Sequence, residues 1–534
     1  MSLHRRQVLA RAAGTVLATI GAAAPGGAGG RSGGADPGGG GPGRGGPVRG
    51  CRRGTDFSAL GRDIDGRVVL PGEREYAEAR QLFQPRYDSV APGAVVYPAH
   101  AGDVAVCLRF ARRSTVPVVP RGGGHSYAGW STRAAGLVVD TGVMAAVTVE
   151  GSGVRIGAGA RLGDVNAALA GRGLAIPTGL CPSVGIAGLT LGGGLGLSAR
   201  AYGATADRLT GALVVTPDGV VREADADRDP ELFWALRGAG GGNFGVVSEF
   251  RFLTHRVGDC AVAELHWPGG DSAAVLAGWQ RWLAGLPDPF WSQVEFVVEG
   301  GPESGPAVPA VRVVCLDGGR RELEARLTRL SDLVGRAPRD SRIDVRGYGD
   351  TMRALSGCLD RSAAQCRLPG TLPGRDPQGR LGRDSYAARS DFWTGDGLPP
   401  AAVEAVLDAV RRYPRAVPRG GIGVVQFDGV CGGALNRVPV AATAFAHRGS
   451  AFLAQYLVYW PESAPAAEVA RHQDWLDGLW RDLRPWASGR AYQNYADPKL
   501  DGWREAYHGP NLPRLEQVRR VYDPDRLFRF PQAI

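Results

Sequence analysis

The sequence predicts an α+β protein of two domains, and three observations predict it. The chain has 534 residues, enough for two separate hydrophobic cores. From Ala94 to Leu253, short strands, hairpins and helices follow one another between glycine-rich loops. From about Val262 those loops disappear, tryptophan and tyrosine become frequent, and strands alternate with longer helices. The resulting boundaries are a leader at 1–24, a linker and lead-in at 25–84 that is mostly disordered at first, and a first domain at 85–255. A second domain at 256–490 and a closing segment at 491–534 follow.

The leader rests on His4-Arg5-Arg6-Gln7-Val8-Leu9, followed by a run of small and apolar residues from Ala10 to Ala24. A paired arginine before a modest apolar run is the pattern of a twin-arginine export signal, with Ala22-Ala23-Ala24 as the cleavage site. The expected location is therefore extracellular or in the cell envelope. The run is too short and too rich in alanine for a stable membrane span. Gly26 to Gly50 has no apolar periodicity and is expected to be a disordered linker.

In the first domain Ala94–Tyr97 reads as a strand, Ala101–Ser114 as a helix and Val116–Val119 as a strand, a β-α-β unit. Leu137–Asp140 is a further strand. Val147–Val149 and Val154–Ile156 are joined by Gly151-Ser152-Gly153, a hairpin signal. Asp164 to Ala170 has helical spacing and ends before Gly171. Leu209–Thr216 and Val220–Glu223 form another hairpin around Pro217-Asp218-Gly219. A short helix at Pro230–Arg237 and a strand at Val246–Leu253 complete the domain. In the second domain, strands at 262–267, 294–298, 311–316, 423–428 and 451–460 alternate with helices near 272–285, 320–334, 399–413 and 463–481. That pattern predicts a largely antiparallel sheet with helices on one face. Little is periodic between Gly357 and Arg389, so a long loop is expected there, and such loops often serve function.

Composition excludes several functions. The formal net charge is +9, but the arginines are scattered, and no basic stripe with interleaved aromatics points to nucleic acid. None of the eight cysteines forms a Cys-x2-Cys pair, so no metal site is expected. Cys107 lies among Val104, Val106, Leu108 and Phe110 and reads as a buried, inert thiol. Cys358 and Cys366 flank a short segment, where export permits a disulfide. The oligomeric state is not legible.

Two stretches stand out chemically. Arg121-Gly122-Gly123-Gly124-His125-Ser126-Tyr127 follows a strand and sets three glycines before a histidine. Cys181-Pro182-Ser183-Val184-Gly185 sets a thiol before the glycine run 188–196. Glycine lets a backbone approach a flat ligand with no Cβ in the way, so two nucleophilic side chains beside such loops suggest one large cofactor gripped from two sides. The glycine runs do not match the Gly-x-Gly-x-x-Gly of nucleotide-dependent dehydrogenases. Together with Gly240-Gly241-Gly242-Asn243-Phe244-Gly245-Val246-Val247, Tyr492-Gln493-Asn494-Tyr495-Ala496-Asp497 and Tyr522–Phe528, these motifs resemble the berberine bridge enzyme-like FAD-linked oxidases. That family belongs to the vanillyl-alcohol oxidase class, and the likeness spans nearly all of the chain after about residue 85.

The resemblance implies a PCMH-type FAD-binding domain at 85–255, a substrate domain at 256–490 and a closing segment that returns to the first domain. It implies FAD joined twice, through His125 to the flavin 8α carbon and through Cys181 to C6. Covalent bonds in that family also raise the flavin's reduction potential. The implied cofactor-binding residues are Arg121, Gly122, Gly123, Gly124, Ser126, Val184, Gly185, Gly188, Gly192 and Gly193. Asn243, Gly245, Val246, Val247 and Asn494 complete that set. Loops of this kind bring N–H donors to a pyrophosphate and a flavin ring. A valine at position 184 accompanies oxygen reactivity in relatives, where a bulkier side chain accompanies dehydrogenase behaviour. Tyr492 is the implied base, assisted by Asp428 and Gln426, with Tyr495 the competing candidate. Tyr127 is expected to pack on substrate and Trp130 to add a second ring. The implied function is an exported oxidase that removes hydride from an alcohol or hemiacetal carbon of a carbohydrate or glycosylated substrate and passes electrons to O2, giving H2O2. The alternatives are a tailoring oxidoreductase of secondary metabolism and a non-catalytic secreted protein that binds flavin or another ligand.

Overall fold

The structure is a computed structural model that describes residues 55–395 and 397–534. The expected leader, the Gly26–Gly50 linker and Cys51 lie outside the described residues. The first lobe holds a mixed four-stranded sheet in the order Arg67–Val69, Ala94–Tyr97, Leu137–Asp140, Val118–Arg121. Its last three strands run parallel. Ala94–Tyr97 and Leu137–Asp140 are buried throughout, as strands covered on both faces must be. The helix Ala101–Ser114 lies on this sheet through Val104, Cys107, Leu108 and Ala111. Burial pushes the Cys107 thiol up to about 12, in keeping with an inert core thiol. A five-stranded antiparallel sheet completes the lobe, in the order Val147–Glu150, Gly153–Gly157, Val246–Leu253, Leu209–Val215, Val221–Asp225.

Three local departures from the sequence reading have simple causes. Arg67–Val69 pairs antiparallel with Val95–Tyr97, so the first lobe includes described residues from about Phe57 onward, ahead of the boundary at 85. The strand expected at Val116–Val119 lies at Val118–Arg121, because Val116 still belongs to the turn that closes the preceding helix. The glycine run after Cys181 is not all loop: Ile186–Leu191 is a helix held between Gly185 and Gly192.

The second lobe is built on one seven-stranded sheet. Its order is Asp340–Gly347, Asp259–His266, Pro309–Cys315, Phe290–Glu299, Ile422–Asp428, Phe452–Trp460, Ser385–Trp393, with every neighbouring pair antiparallel. The helices Ser272–Ala284, Arg320–Val334, Pro400–Ala416 and Ala466–Leu483 share one core with one face of that sheet. Alternation along each strand decides the faces. Val294, Phe296, Val425, Phe427, Ala454 and Tyr456 enter that core. Gln293, Glu295, Gln426, Asp428 and Gln455 alternate with them and face the other way.

The expected loop at 357–389 gives way at its end to the strand Ser385–Trp393. Its earlier part contains the Cys358–Cys366 disulfide and is fastened to the first lobe. Arg367 donates to Asp164 at 2.7 Å, Arg383 pairs with Asp88, and Glu78 accepts from the backbone N–H groups of Thr371 and Leu372. The closing segment crosses back to the first lobe, where Leu515, Val518 and Ile534 join its core and Phe528 bridges to Val118. No described helix is long and apolar enough to cross a membrane.

Candidate active site

A cavity of about 370 Å³ lies where the lobes meet. One wall is the glycine loops of the first lobe, the other the polar face of the seven-stranded sheet, and the closing segment supplies Tyr492–Ala496.

The glycines bring the His125 and Cys181 loops together. Gly123 and Gly185 pass so closely that a Cβ on Gly123 would stand 2.2 Å from the Gly185 nitrogen. Both loops are pinned from behind: Leu162 and Gly163 donate to the carbonyls of Val184 and Pro182 at 2.9 Å, and Ile186 donates to Ala160 at 3.0 Å. The consequence is chemical. Ser183 Oγ lies 2.9 Å from His125 Nε2 and 3.4 Å from Cys181 Sγ, so the two nucleophiles meet on one hydroxyl. The His125 ring stacks on Phe83 at a centroid distance of 4.1 Å. Burial, with the nearby Arg161 charge, lowers its pKa to about 3, so the imidazole is neutral. Burial raises the Cys181 thiol, and the hydrogen bond from Ser183 opposes that shift.

The space between the loops has the shape of a cradle. Gly188 and Gly241 both line the cavity; a Cβ on Gly188 would meet nothing within 4 Å, and one on Gly241 would meet only the Gly188 Cα, at 3.9 Å. The two backbones therefore lie side by side as one stretch of cavity wall without side chains, and such a wall, beside a neutral imidazole and a thiol, fits a flat ring system such as a flavin. Gly122, Gly124, Ser126, Val184, Asn243, Gly245, Val246, Val247 and Asn494 line the same cavity.

Other predicted residues serve differently. Gly192 and Gly193 are not in the lining. A Cβ on Gly192 would stand 2.0 Å from Asn494 Oδ1, and one on Gly193 2.4 Å from the Phe445 ring, so these glycines seat side chains rather than cofactor. Arg121 borders the cavity, but its guanidinium pairs with Asp140 and donates to the Ala79 carbonyl. Trp130 does not join Tyr127. Its ring packs on Phe530 at 5.3 Å, beside the Gly240–Gly242 loop, whereas Tyr127 stacks on Tyr495 at 5.2 Å.

The two tyrosines of the closing segment separate in role. The Tyr492 oxygen accepts from the Gly194 N–H at 3.1 Å and from Asn494 Nδ2 at 2.9 Å. Burial raises its pKa to about 12, although both donors favour the phenolate. Tyr495 is half-buried with its pKa well above the usual range, pushed up by desolvation and then by its neighbours Tyr127 and Asp428. Asp428 accepts from Trp291 Nε1 at 2.7 Å, and burial lifts its carboxyl to about 7. The Asp428 charge is thus felt at Tyr495, while the Tyr492 oxygen already accepts two N–H groups of the protein itself.

Several lining residues escaped the sequence reading. Gln293 pairs in register with Asp428, Glu295 with Gln426, and Gln426 with Gln455, which makes a continuous polar patch. Gln293 donates to Glu295 at 2.8 Å, and Gln455 donates to the Tyr127 oxygen at 3.0 Å. Burial raises Glu295 to about 7 against the pull of Arg312. The available signal was a polar residue at every second position of an otherwise apolar strand. Phe83 carried no such signal, because only the fold brings it to His125.

Comparisons with known proteins agree with this geometry. Residues 92–225 match the model of an FAD binding domain, and 491–534 match the model described as berberine and berberine like. An uncharacterized FAD-linked oxidoreductase, YgaK of Bacillus subtilis, is 30% identical over 480 residues, covering 88% of this chain and 97% of that protein. The xylooligosaccharide oxidase of Thermothelomyces thermophilus is 30% identical over 468 residues, covering 83% and 87%. Among solved structures, BBE-like 1 of Physcomitrella patens superposes with a TM-score of 0.77 at 27% identity, over 90% of this chain and 99% of that one.

Proposed function

The chain belongs to the berberine bridge enzyme-like FAD-linked oxidoreductases, and on that premise we propose an exported oxidase that acts on a carbohydrate or glycosylated alcohol, with FAD attached at both His125 and Cys181. The observation that carries this reading is the convergence of a neutral imidazole and a thiol on Ser183, at the edge of a glycine-walled slot. When bound there, the flavin would supply the hydride acceptor, and O2 would reoxidise it with release of H2O2. His125 and Cys181 would hold it, and Gly188 and Gly241 would leave room for its ring.

The chain's own residues account for the proton. A substrate hydroxyl must lose its proton as hydride leaves the same carbon, so a base must stand within reach. Tyr492 is poorly placed to take it, because its oxygen is already held by Gly194 and Asn494. Tyr495 lines the cavity beside Asp428, whose carboxyl near 7 is matched to neutral operation. The substrate proton passes to the Tyr495 oxygen as the phenol proton moves toward Asp428, so no free phenolate is needed. Tyr492 then anchors the glycine loop. Tyr127 offers a ring face, and Gln426, Gln455 and Gln293 offer the amides expected of a site for a polyhydroxylated ring. The xylooligosaccharide oxidase relative supports that substrate class. Val184, half-buried in the cavity wall, is small enough to leave O2 a path. Export rests on Arg5-Arg6 ahead of the Ala10–Ala24 run.

Acid precipitation tests the attachment: yellow colour retained in the pellet supports it, and a colourless pellet beneath a yellow supernatant refutes it. A panel of reducing mono- and oligosaccharides, read by peroxide release, tests the substrate class. Turnover confined to non-sugar alcohols would move the assignment to a tailoring enzyme.

A further inference from the structure

We infer that Ser183 couples the two attachment points, fixing the tautomer of His125 and offering a hydrogen bond to Cys181, so that both nucleophiles are presented in reactive form. The inference rests on the double attachment proposed above. Its grounds are geometric. Ser183 is buried, and its single hydroxyl stands between His125 Nε2 at 2.9 Å and Cys181 Sγ at 3.4 Å. A hydroxyl has one proton to give and can accept as well, so it can receive from one partner while donating to the other.

The direction follows from what each partner must do. A neutral imidazole has one N–H and one lone pair. If Nε2 holds the proton and gives it to Ser183, the lone pair resides on Nδ1, which makes no hydrogen bond among the described residues. The Phe83 ring against the imidazole face holds that orientation. Ser183, having accepted from His125, turns its own proton to Cys181 Sγ, where a donor favours the thiolate over the thiol. One side chain thereby exposes the nitrogen lone pair and offsets the cost of a buried sulfur charge.

The bookkeeping of the attachments is consistent with this arrangement. At His125, a C–N bond replaces a C–H bond of the flavin 8α carbon. The nitrogen that bonds is Nδ1, and the proton that must leave the ring is the one on Nε2, which faces the Ser183 oxygen. At Cys181, a C–S bond replaces the C–H bond at C6, and the thiol proton is lost. Each attachment gives up two protons and two electrons, and O2 takes up two of each to become H2O2. Ser183 is unchanged at the end, so it is a positioning residue.

The test is a comparison of wild type, Ser183→Ala and Ser183→Thr, each purified as the flavin-loaded protein. Covalent flavin is read by in-gel fluorescence after denaturation, and the linked residues by peptide mapping. The time course of attachment is followed during expression with limiting flavin. Removing the hydroxyl should slow attachment about tenfold, equivalent to losing one hydrogen bond of about 1.4 kcal/mol. The Cys181 link should suffer more than the His125 link, and threonine should restore both. Thermal unfolding and retention of non-covalent FAD separate this from simple misfolding. A Ser183→Ala protein that is doubly linked at the wild-type rate overturns the inference, and so does a folded Ser183→Thr protein that fails to recover. A wild type with no covalent flavin overturns instead the proposed attachment on which the inference rests.

Discussion

Asp428 sits in the cavity wall with one neutral donor, Trp291, and burial has lifted its carboxyl to about 7. Two predictions follow from that carboxyl and its neighbours. For catalysis, the ionised form is the proton acceptor, so kcat/KM should climb with pH through an apparent pKa near 7. The climb should vanish in Asp428→Asn, together with most activity. For stability the sign runs the other way. A carboxyl whose folded pKa exceeds its unfolded value stabilises the fold at low pH, and loses that contribution as pH rises through the folded value. Asp428→Asn keeps an acceptor for Trp291 and cannot ionise. It should therefore raise the melting temperature at pH 8 and leave it unchanged near pH 4, with a ceiling of about 4 kcal/mol on the gain. The tyrosines give the second prediction. Tyr495→Phe should lower kcat by about 10²- to 10⁴-fold with flavin spectrum and stability intact, the range expected for a lost acid–base group. Tyr492→Phe should cost less in kcat, and mainly destabilise, because two N–H donors lose their acceptor. Steady-state kinetics and thermal unfolding of the pair decide it, and the opposite ranking would return the base to Tyr492.

At the scale of elements, glycines that look alike in sequence divide into those that let backbones cross and those that leave space. Gly123→Ala drives a methyl group into the Gly185 backbone, and no side-chain rotation can relieve that contact. It should cost about 1–3 kcal/mol or more of stability and disturb both of the proposed flavin links. Gly188→Ala meets nothing in the protein, so it should fold with an unchanged melting temperature as the flavin-free protein. Its methyl group projects into the slot, and flavin content after purification should fall severalfold. If Gly188→Ala loads fully with flavin, the slot is not where the ring lies. Sequence could show that glycines were concentrated here, and it could show which strands alternate. It could not show which glycine serves which purpose, because Gly192, Gly193 and Gly123 differ only in what the rest of the chain brings against them: Asn494, Phe445 and Gly185.

The whole molecule repeats that division between what is local and what is not. The helix Ala101–Ser114 and the strands on either side of His125 were legible because their patterns lie within a dozen residues. So was the meeting of His125 and Cys181 at one site, because their loops carry motifs. The Asp340–Gly347 strand and the Tyr348–Leu355 helix were missed, since the strand is an exposed edge with weak alternation. Phe83, Ser183 and the Gln293–Glu295 patch become visible only once each lobe is folded, because the first two meet His125 from distant points of the first lobe and the patch forms by strand pairing in the second. One feature of that closure is a buried ion pair: Arg448, from the second lobe's 443–448 segment, grips both oxygens of Asp207 in the first lobe at 2.8 and 2.6 Å. Both side chains are under a tenth exposed. Arg448 also donates to Thr443 and the Leu435 carbonyl, and its guanidinium lies over Phe445, the ring packed on Gly193. Removing the arginine alone leaves a buried carboxylate without its ion-pair partner, so Arg448→Met should destabilise by about 3–5 kcal/mol in denaturant unfolding. Because Phe445 and the Tyr492 ring meet edge to face, the same change should loosen the cavity wall and raise KM. The double variant Arg448→Met, Asp207→Asn removes the stranded charge and should recover part of the stability. If the single variant unfolds at the wild-type midpoint, this pair does not hold the lobes together, and the width of the cavity must be set by the closing segment instead.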